Sequence, residues 1–309
     1  MNIIRSVGKY VPNTLISNYE AGKYHDTDGS FITSKIGFET LSRMSTNDNC
    51  FTLAEKACKN LLLQEKLDLE AIDLLILVTQ NPAFNGIPHN SSILHDALGL
   101  KESCQVFDLS LGCTGFVHGL LVADSLMQTM RLENAILVTS DPYSQIINNQ
   151  DKNTSMLFGD AATATLICQE GPGWKLTAYD YGTRSRDWEA LNCTSGKLKM
   201  NGRSVFEFAA KSVPQSINQL LSKTNTEVEE IDLFLFHQGS RYIVETIAKR
   251  VGVAEDKFLF GSSNYGNSVS SSIPLLLNQY SSLLNNKNKI IASGFGVGLS
   301  WATCILEKV

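Results

Sequence analysis

Three side chains of the types used in acyl transfer stand at ends of apolar segments: Cys113, His237 and Asn267. Cys113 follows a strand-like run, 104–111, and a helix-like stretch begins directly after it, with Gly112 and Gly115 allowing a sharp turn. A thiol at a helix N-terminus meets unpaired N–H groups and the positive end of the macrodipole, which favour the nucleophilic thiolate. His237 ends the apolar run Ile231–Phe236, and buried strands of α/β proteins present functional groups at their C-terminal ends. Asn267 lies in Tyr265-Gly266-Asn267-Ser268, which is good turn chemistry. Each residue alone has a plainer explanation: a structural cysteine, a hydrogen-bonded strand-end histidine, a turn asparagine. The elements around them decide whether the three meet.

Those elements occur twice. Residues 60–77 align without a gap to 219–236, each reading as a helix end, a polar turn and a buried strand opened by Ile-Asp-Leu. Residues 134–140 echo 288–293, preceded by helix-like stretches at about 113–131 and 269–284. Residues 158–167 echo 298–306. Three matches in one order indicate two similar α/β halves, 1–165 and 166–309, with continuous apolar strands in mixed or parallel sheets. Two such halves pack as a layered sandwich, with helices between and outside the sheets. Under the duplication Gly112-Cys113 corresponds to Gly266-Asn267, so the thiol and the amide face each other across a pseudo-twofold axis, with His237 at a nearby strand end. His118, five residues past Cys113, points away on a helix. His25, His89 and His95 sit in polar segments, and Asp160 reads as a brace for a strand start.

The remaining features exclude other classes. The chain has 309 residues, enough for a large core. A net charge of −5 argues against bulk nucleic-acid binding. No apolar run is long enough for a membrane span, and the start reads as a first strand rather than a signal peptide. Seven scattered cysteines without a Cys-x-x-Cys pair argue for the reducing cytoplasm and against a disulfide frame or a metal cluster.

Six segments taken together resemble the thiolase superfamily, and within it the ketoacyl synthase III family: 112–116, 158–162, 200–203, 237–238, 264–268 and 294–301. The resemblance covers essentially the whole chain and implies a five-layer α-β-α-β-α sandwich of two duplicated halves. It also implies that Cys113 takes an acyl group from coenzyme A or a carrier protein as a thioester. The backbone N–H of Cys113 and one from the Val297-Gly298 turn then form the oxyanion hole. His237 and Asn267 match the two donors that stabilise the enolate left when a malonyl thioester loses carbon dioxide. The reaction is a decarboxylative Claisen condensation in fatty acid, polyketide or specialised lipid or surface-polymer synthesis. It needs no metal and no redox cofactor, only acyl-coenzyme A and a malonyl thioester.

The resemblance places Phe31 and Lys152 at an adenine clamp and Lys35 beside the coenzyme A phosphates. Ile87 stands on an acyl-pocket loop that reaches the partner in a homodimer. Lys249 and Arg250, near the end of a helix spanning 241–251, match a landing site for acidic acyl carrier protein. Glu207 departs from that pattern, since relatives have a basic residue there. Two alternatives compete with condensation: Cys-dependent acyl transfer to an oxygen or nitrogen acceptor, and a non-catalytic subunit of a heterodimer. The intact Cys-His-Asn set argues against both. A hydroxymethylglutaryl-type synthase would need a carboxylate near the thiol, and the matching strand end, Thr79-Gln80-Asn81, offers none.

Overall fold

The computed structural model describes residues 2–309. The first half contributes strands β1 (Ile3–Tyr10), β2 (Leu74–Val78), β3 (Gln105–Leu109), β4 (Asn134–Ser140) and β5 (Ala162–Cys168). The second contributes β6 (Trp174–Thr183), β7 (Leu233–Phe236), β8 (Lys289–Gly296) and β9 (Ser300–Lys308). Their order across the sheet is β7-β8-β9-β6-β1-β5-β4-β2-β3. From β1 outward the pairings run antiparallel, antiparallel, parallel, parallel. From β6 outward the same sequence recurs, and a parallel bridge from Phe234 to Phe258 stands where the first half has β3. Within the sheet the halves pair at Ile3 with Lys175 and Ile4 with Trp174, and a parallel bridge from Phe158 to Asn267 links them again.

Helices complete five layers. Helix α1 (Cys50–Glu65) and α2 (Asn90–Leu98) cover the outer face of the first half. Helices α3 (Gly115–Met130) and α6 (Ser272–Gln279) lie in the middle and touch strands of both halves. Helix α4 (Gly202–Thr224) and α5 (Arg241–Val251) cover the outer face of the second half. The buried central side chains include Phe116, Leu120, Met127, Ile273 and Leu276. Full burial of such side chains stabilises the fold by about 1.5–3 kcal/mol each.

The repeat read from the sequence is visible in detail. Asp73 accepts from the N–H groups of Glu133 and Asn134, and Asp232 accepts from those of Asn288 and Lys289. Each carboxylate fixes the start of the next parallel strand, and each sits below the ordinary carboxylate range because those N–H donors and a lysine favour its charge. The expected helix at 269–284 is three pieces: a 3-10 turn Val269–Ser271, then α6, then Ser281–Leu284, with Tyr280 out of helical geometry between the last two. The first piece proves important for the site. No helix among the described residues is long and apolar enough to cross a membrane.

Candidate active site

Strand β3 leads through Leu111 into a tight turn at Gly112–Thr114, where the Gly115 N–H donates to the Gly112 carbonyl at 2.7 Å, and α3 begins. Cys113 is carried on that turn and is almost wholly buried. Gly296, at the end of β8, closes against it with φ +154°, and a Cβ there would sit 2.7 Å from the sulfur. The position therefore excludes any side chain on both conformational and steric grounds. The backbone N–H groups of Val297 and Cys113 favour the thiolate, but burial dominates and pushes the thiol up to about 12. This corrects the expectation of a helix-activated resting thiolate. Desolvation outweighs those two N–H contacts and favours the protonated thiol.

His237 follows β7, and its own N–H donates to the Ser293 carbonyl of β8 at 2.9 Å. The ring is buried edge-on to Phe295, with Nδ1 2.8 Å from the Ser272 hydroxyl. Burial pushes its pKa down to about 3, against an opposing contribution from the Val269 backbone, so the imidazole is neutral at physiological pH.

Asn267 sits where the halves meet. Its N–H donates to the Leu157 carbonyl and its carbonyl accepts from the Gly159 N–H. A Cβ at Gly159 would lie 1.7 Å from the Tyr265 carbonyl oxygen, so only glycine admits this approach. The Asn267 Oδ1 accepts from the Val269 N–H at 2.9 Å. That bond fixes the amide orientation and leaves the Nδ2 hydrogens available. Val269 has φ +52°, an uncommon conformation for a β-branched residue and one that costs on the order of 1–3 kcal/mol. This turn has no sequence signal, because Val-Ser-Ser reads as an ordinary helix start.

Cys113, His237 and Asn267 all line one cavity of about 450 Å³. Its mouth carries Phe31, Lys35 and Lys152. Lys152 Nζ stands 5.3 Å from the Phe31 ring centroid, and Lys35 Nζ 3.6 Å from that of Tyr242. Tyr242 in turn stacks on Phe206 at 5.1 Å. Tyr242, Phe206 and Arg203 were not anticipated as mouth residues, although Arg203 stands in one of the six family segments and Tyr242 lies in the first turn of α5, five residues after His237.

A family model for 3-oxoacyl-[acyl-carrier-protein] synthase III matches residues 107–185, and its C-terminal counterpart matches 221–308. The beta-ketoacyl-[acyl-carrier-protein] synthase III of Clostridium novyi is 32% identical, with 98% of each chain covered. The chain belongs to the 3-oxoacyl-(acyl-carrier-protein) synthase III family. A Lactococcus lactis relative of the same name is 31% identical, again with 98% of each chain covered. The crystal structure of the Aquifex aeolicus synthase III superposes with a TM-score of 0.93 at 26% identity, covering 99% of this chain and 100% of that one.

Membership in the synthase III family frames the residues that lie elsewhere. Ile87 is 84% exposed and does not line the cavity. Lys249 and Arg250 lie on the outer helix α5, also away from the cavity. Arg250 has a structural task as well: its Nη1 donates to the Ala210 carbonyl at 2.7 Å. That carbonyl lacks its helical donor because residue 214, four positions on, is proline. Glu207 is paired with Arg203 at 2.8 Å. Asp160 accepts from the N–H groups of Met44 and Ser144, and so braces two loops rather than the strand start expected of it. One carboxylate close to Cys113 was missed, because it lies at the end of β4 rather than β2. Asp141 is buried, and its charge bears on the thiol. It does not line the cavity, so it has no access to a substrate carbon.

Proposed function

We propose that this chain joins an acyl group to a malonyl-derived carbon by decarboxylative Claisen condensation. The first half, 1–165, supplies the nucleophile, and the second, 166–309, supplies both enolate donors. Cys113 attacks the acyl thioester; its proton passes to the departing thiol, and an acyl-Cys113 thioester remains. The tetrahedral oxyanion lies against the N–H groups of Cys113 and Val297, with Gly298 shaping that turn. A malonyl thioester then loses carbon dioxide. The enolate oxygen accepts hydrogen bonds from His237 Nε2–H and Asn267 Nδ2–H. We assign the Ser272 hydroxyl as donor to Nδ1, which puts the proton of the neutral ring on Nε2. The enolate carbon attacks the acyl carbonyl, expels the Cys113 thiolate and gives a 3-oxoacyl thioester. Neither step calls for a metal or a redox group.

The observation that carries this reading is the shared cavity of Cys113, His237 and Asn267, with the Asn267 amide turned by Val269 so that its donor is free. Transfer to an oxygen or nitrogen acceptor would have no use for two enolate donors. Phe31 and Lys152 fit an adenine at the mouth, with Lys35 near the phosphates. Lys249 fits an acidic acyl carrier protein. The open edge of β3, with Phe84 and Ile87 exposed on a nearby loop, fits a second copy of the chain. Seven unpaired cysteines suit a reducing compartment.

The test is intact mass after incubation with a panel of acyl-coenzyme A thioesters, followed by malonyl carrier protein. The expected result is an adduct that maps to Cys113 and is discharged as a 3-oxoacyl product with release of carbon dioxide. An adduct discharged equally well to water or an amine without malonate would overturn condensation.

A further inference from the structure

Asp141 follows the last residue of β4 and is completely buried. One carboxylate oxygen accepts from the Gln80 N–H at 2.7 Å, with the Thr79 hydroxyl at 3.5 Å. The other accepts a short hydrogen bond from the Ser270 hydroxyl. Thr79 and Gln80 lie just beyond β2 in the first half. Ser270 belongs to the second half and directly follows Val269, the residue at positive φ whose N–H holds the Asn267 amide. Among the described residues no lysine or arginine pairs with Asp141. It is a buried carboxylate held by neutral donors alone, and such burial is costly.

The groups that face it are few. Cys113 lies on the nucleophile turn, Cys50 on α1 and Tyr143 on the loop after β4, and the Asp141 charge raises all three. Cys50 also feels Asp108 of β3, and Tyr143 also feels Cys193. None of these supplies a positive charge.

We infer that Asp141 is a positioning residue for the second half-reaction: it clamps the Asn267 turn through Ser270. The clamp explains how an unfavourable backbone at Val269 persists. Ser270 holds one side of the turn and the Asn267 side chain holds the other. The inference rests on the proposed role of Asn267, and acylation of Cys113, which does not use that donor, separates its failure from the failure of that reading.

The experiment compares Asp141→Asn and Ser270→Ala with wild type in two assays on the full chain. The first is acylation of Cys113 by an acyl-coenzyme A thioester, followed by intact mass. Asp141→Asn weakens the acceptor of the Ser270 hydroxyl and Ser270→Ala removes that hydroxyl, and both should acylate near the wild-type rate because the clamp acts on the Asn267 turn. The second assay is single-turnover condensation of pre-acylated enzyme with malonyl carrier protein. Ser270→Ala should slow it about tenfold, as loss of one charge-assisted hydrogen bond implies.

Acylation lost as fully as condensation in either variant makes Asp141 a structural residue only and overturns the inference. Wild-type condensation in Ser270→Ala overturns the clamp. If Asp141→Asn does not fold, Asp141→Ser carries the same expectation, and failure of both to fold overturns the inference. Wild type that is acylated yet never condenses overturns the proposed function, an outcome distinct from failure of the clamp.

Discussion

The turns before α3 and α6 hold corresponding places in the two halves, yet they are built differently. The first passes from Gly112 and Cys113 into the helix within two residues, stabilised by one backbone hydrogen bond. The second takes five residues from Asn267 to Ser272, through a 3-10 turn with Val269 at positive φ. Side chains hold it: Asn267 on the Val269 N–H, Ser270 on Asp141, Ser271 on Thr139, Ser272 on His237. The contrast follows from the chemistry each turn presents. A thiol needs only backbone N–H groups near it and space around it. Two side-chain donors aimed at one oxygen need fixed orientations, and fixing them takes a polar network.

The comparison implies a division of labour that substitution can break. The largest effect is expected at the first turn. Cys113→Ala should abolish acyl labelling; persistence at the wild-type level, measured by intact mass, would place the nucleophile elsewhere. At the second turn, Asn267→Ala and His237→Ala should each lower condensation about 10²–10³-fold while Cys113 acylation stays measurable. Their effects should combine less than additively, since both donors serve one oxygen. Equal loss in both half-reactions would end the division.

Ser272→Ala sharpens the contrast. It removes the hydroxyl hydrogen-bonded to His237 Nδ1 and should cost condensation about tenfold or less, with acylation unchanged. The pH dependence separates the turns again. Burial pushes His237 down to about 3, so the ring does not take up a proton between pH 8 and 5 and adds no acid limb there. Burial pushes Cys113 up to about 12, so the single-turnover acylation rate should rise steadily with pH through 9. A clear inflection near 6.5 in either half-reaction would mean that a solvated histidine takes part.

The smallest effects lie on α5. Lys249→Glu should raise KM for carrier-bound malonate a fewfold, and the change should fade with added salt. Acylation by coenzyme A thioesters should be spared, since its mouth lies at Phe31 and Lys152. Arg250→Ala should differ in kind, lowering stability by roughly 0.5–1.5 kcal/mol by freeing the Ala210 carbonyl, as thermal unfolding would show. Glu207 supports only a modest docking effect, because it adds a negative charge to the same face and Arg203 offsets it.

The sequence by itself determined the two-fold α/β repeat, the family and the Cys-His-Asn set. Strand periodicity, the Ile-Asp-Leu openings and glycines at close approaches are local signals, legible without a third dimension. The helices at 113–131 and 241–251 were readable for the same reason, as hydrophobic spacing is a property of neighbours in the chain. Only the tertiary structure decided the electrostatic state of the site. Nothing near Cys113 in sequence reveals that burial raises the thiol despite its N–H contacts, because desolvation depends on what packs around the sulfur. Asp141 was invisible for the same reason: its partners, Gln80 and Ser270, are 61 and 129 residues away. Arg250 read as part of a carrier-protein landing site, and only folding shows that Pro214, on another helix, leaves it a carbonyl to satisfy. Folding brought these groups together, and low polarity in the interior made their charges and hydrogen bonds count.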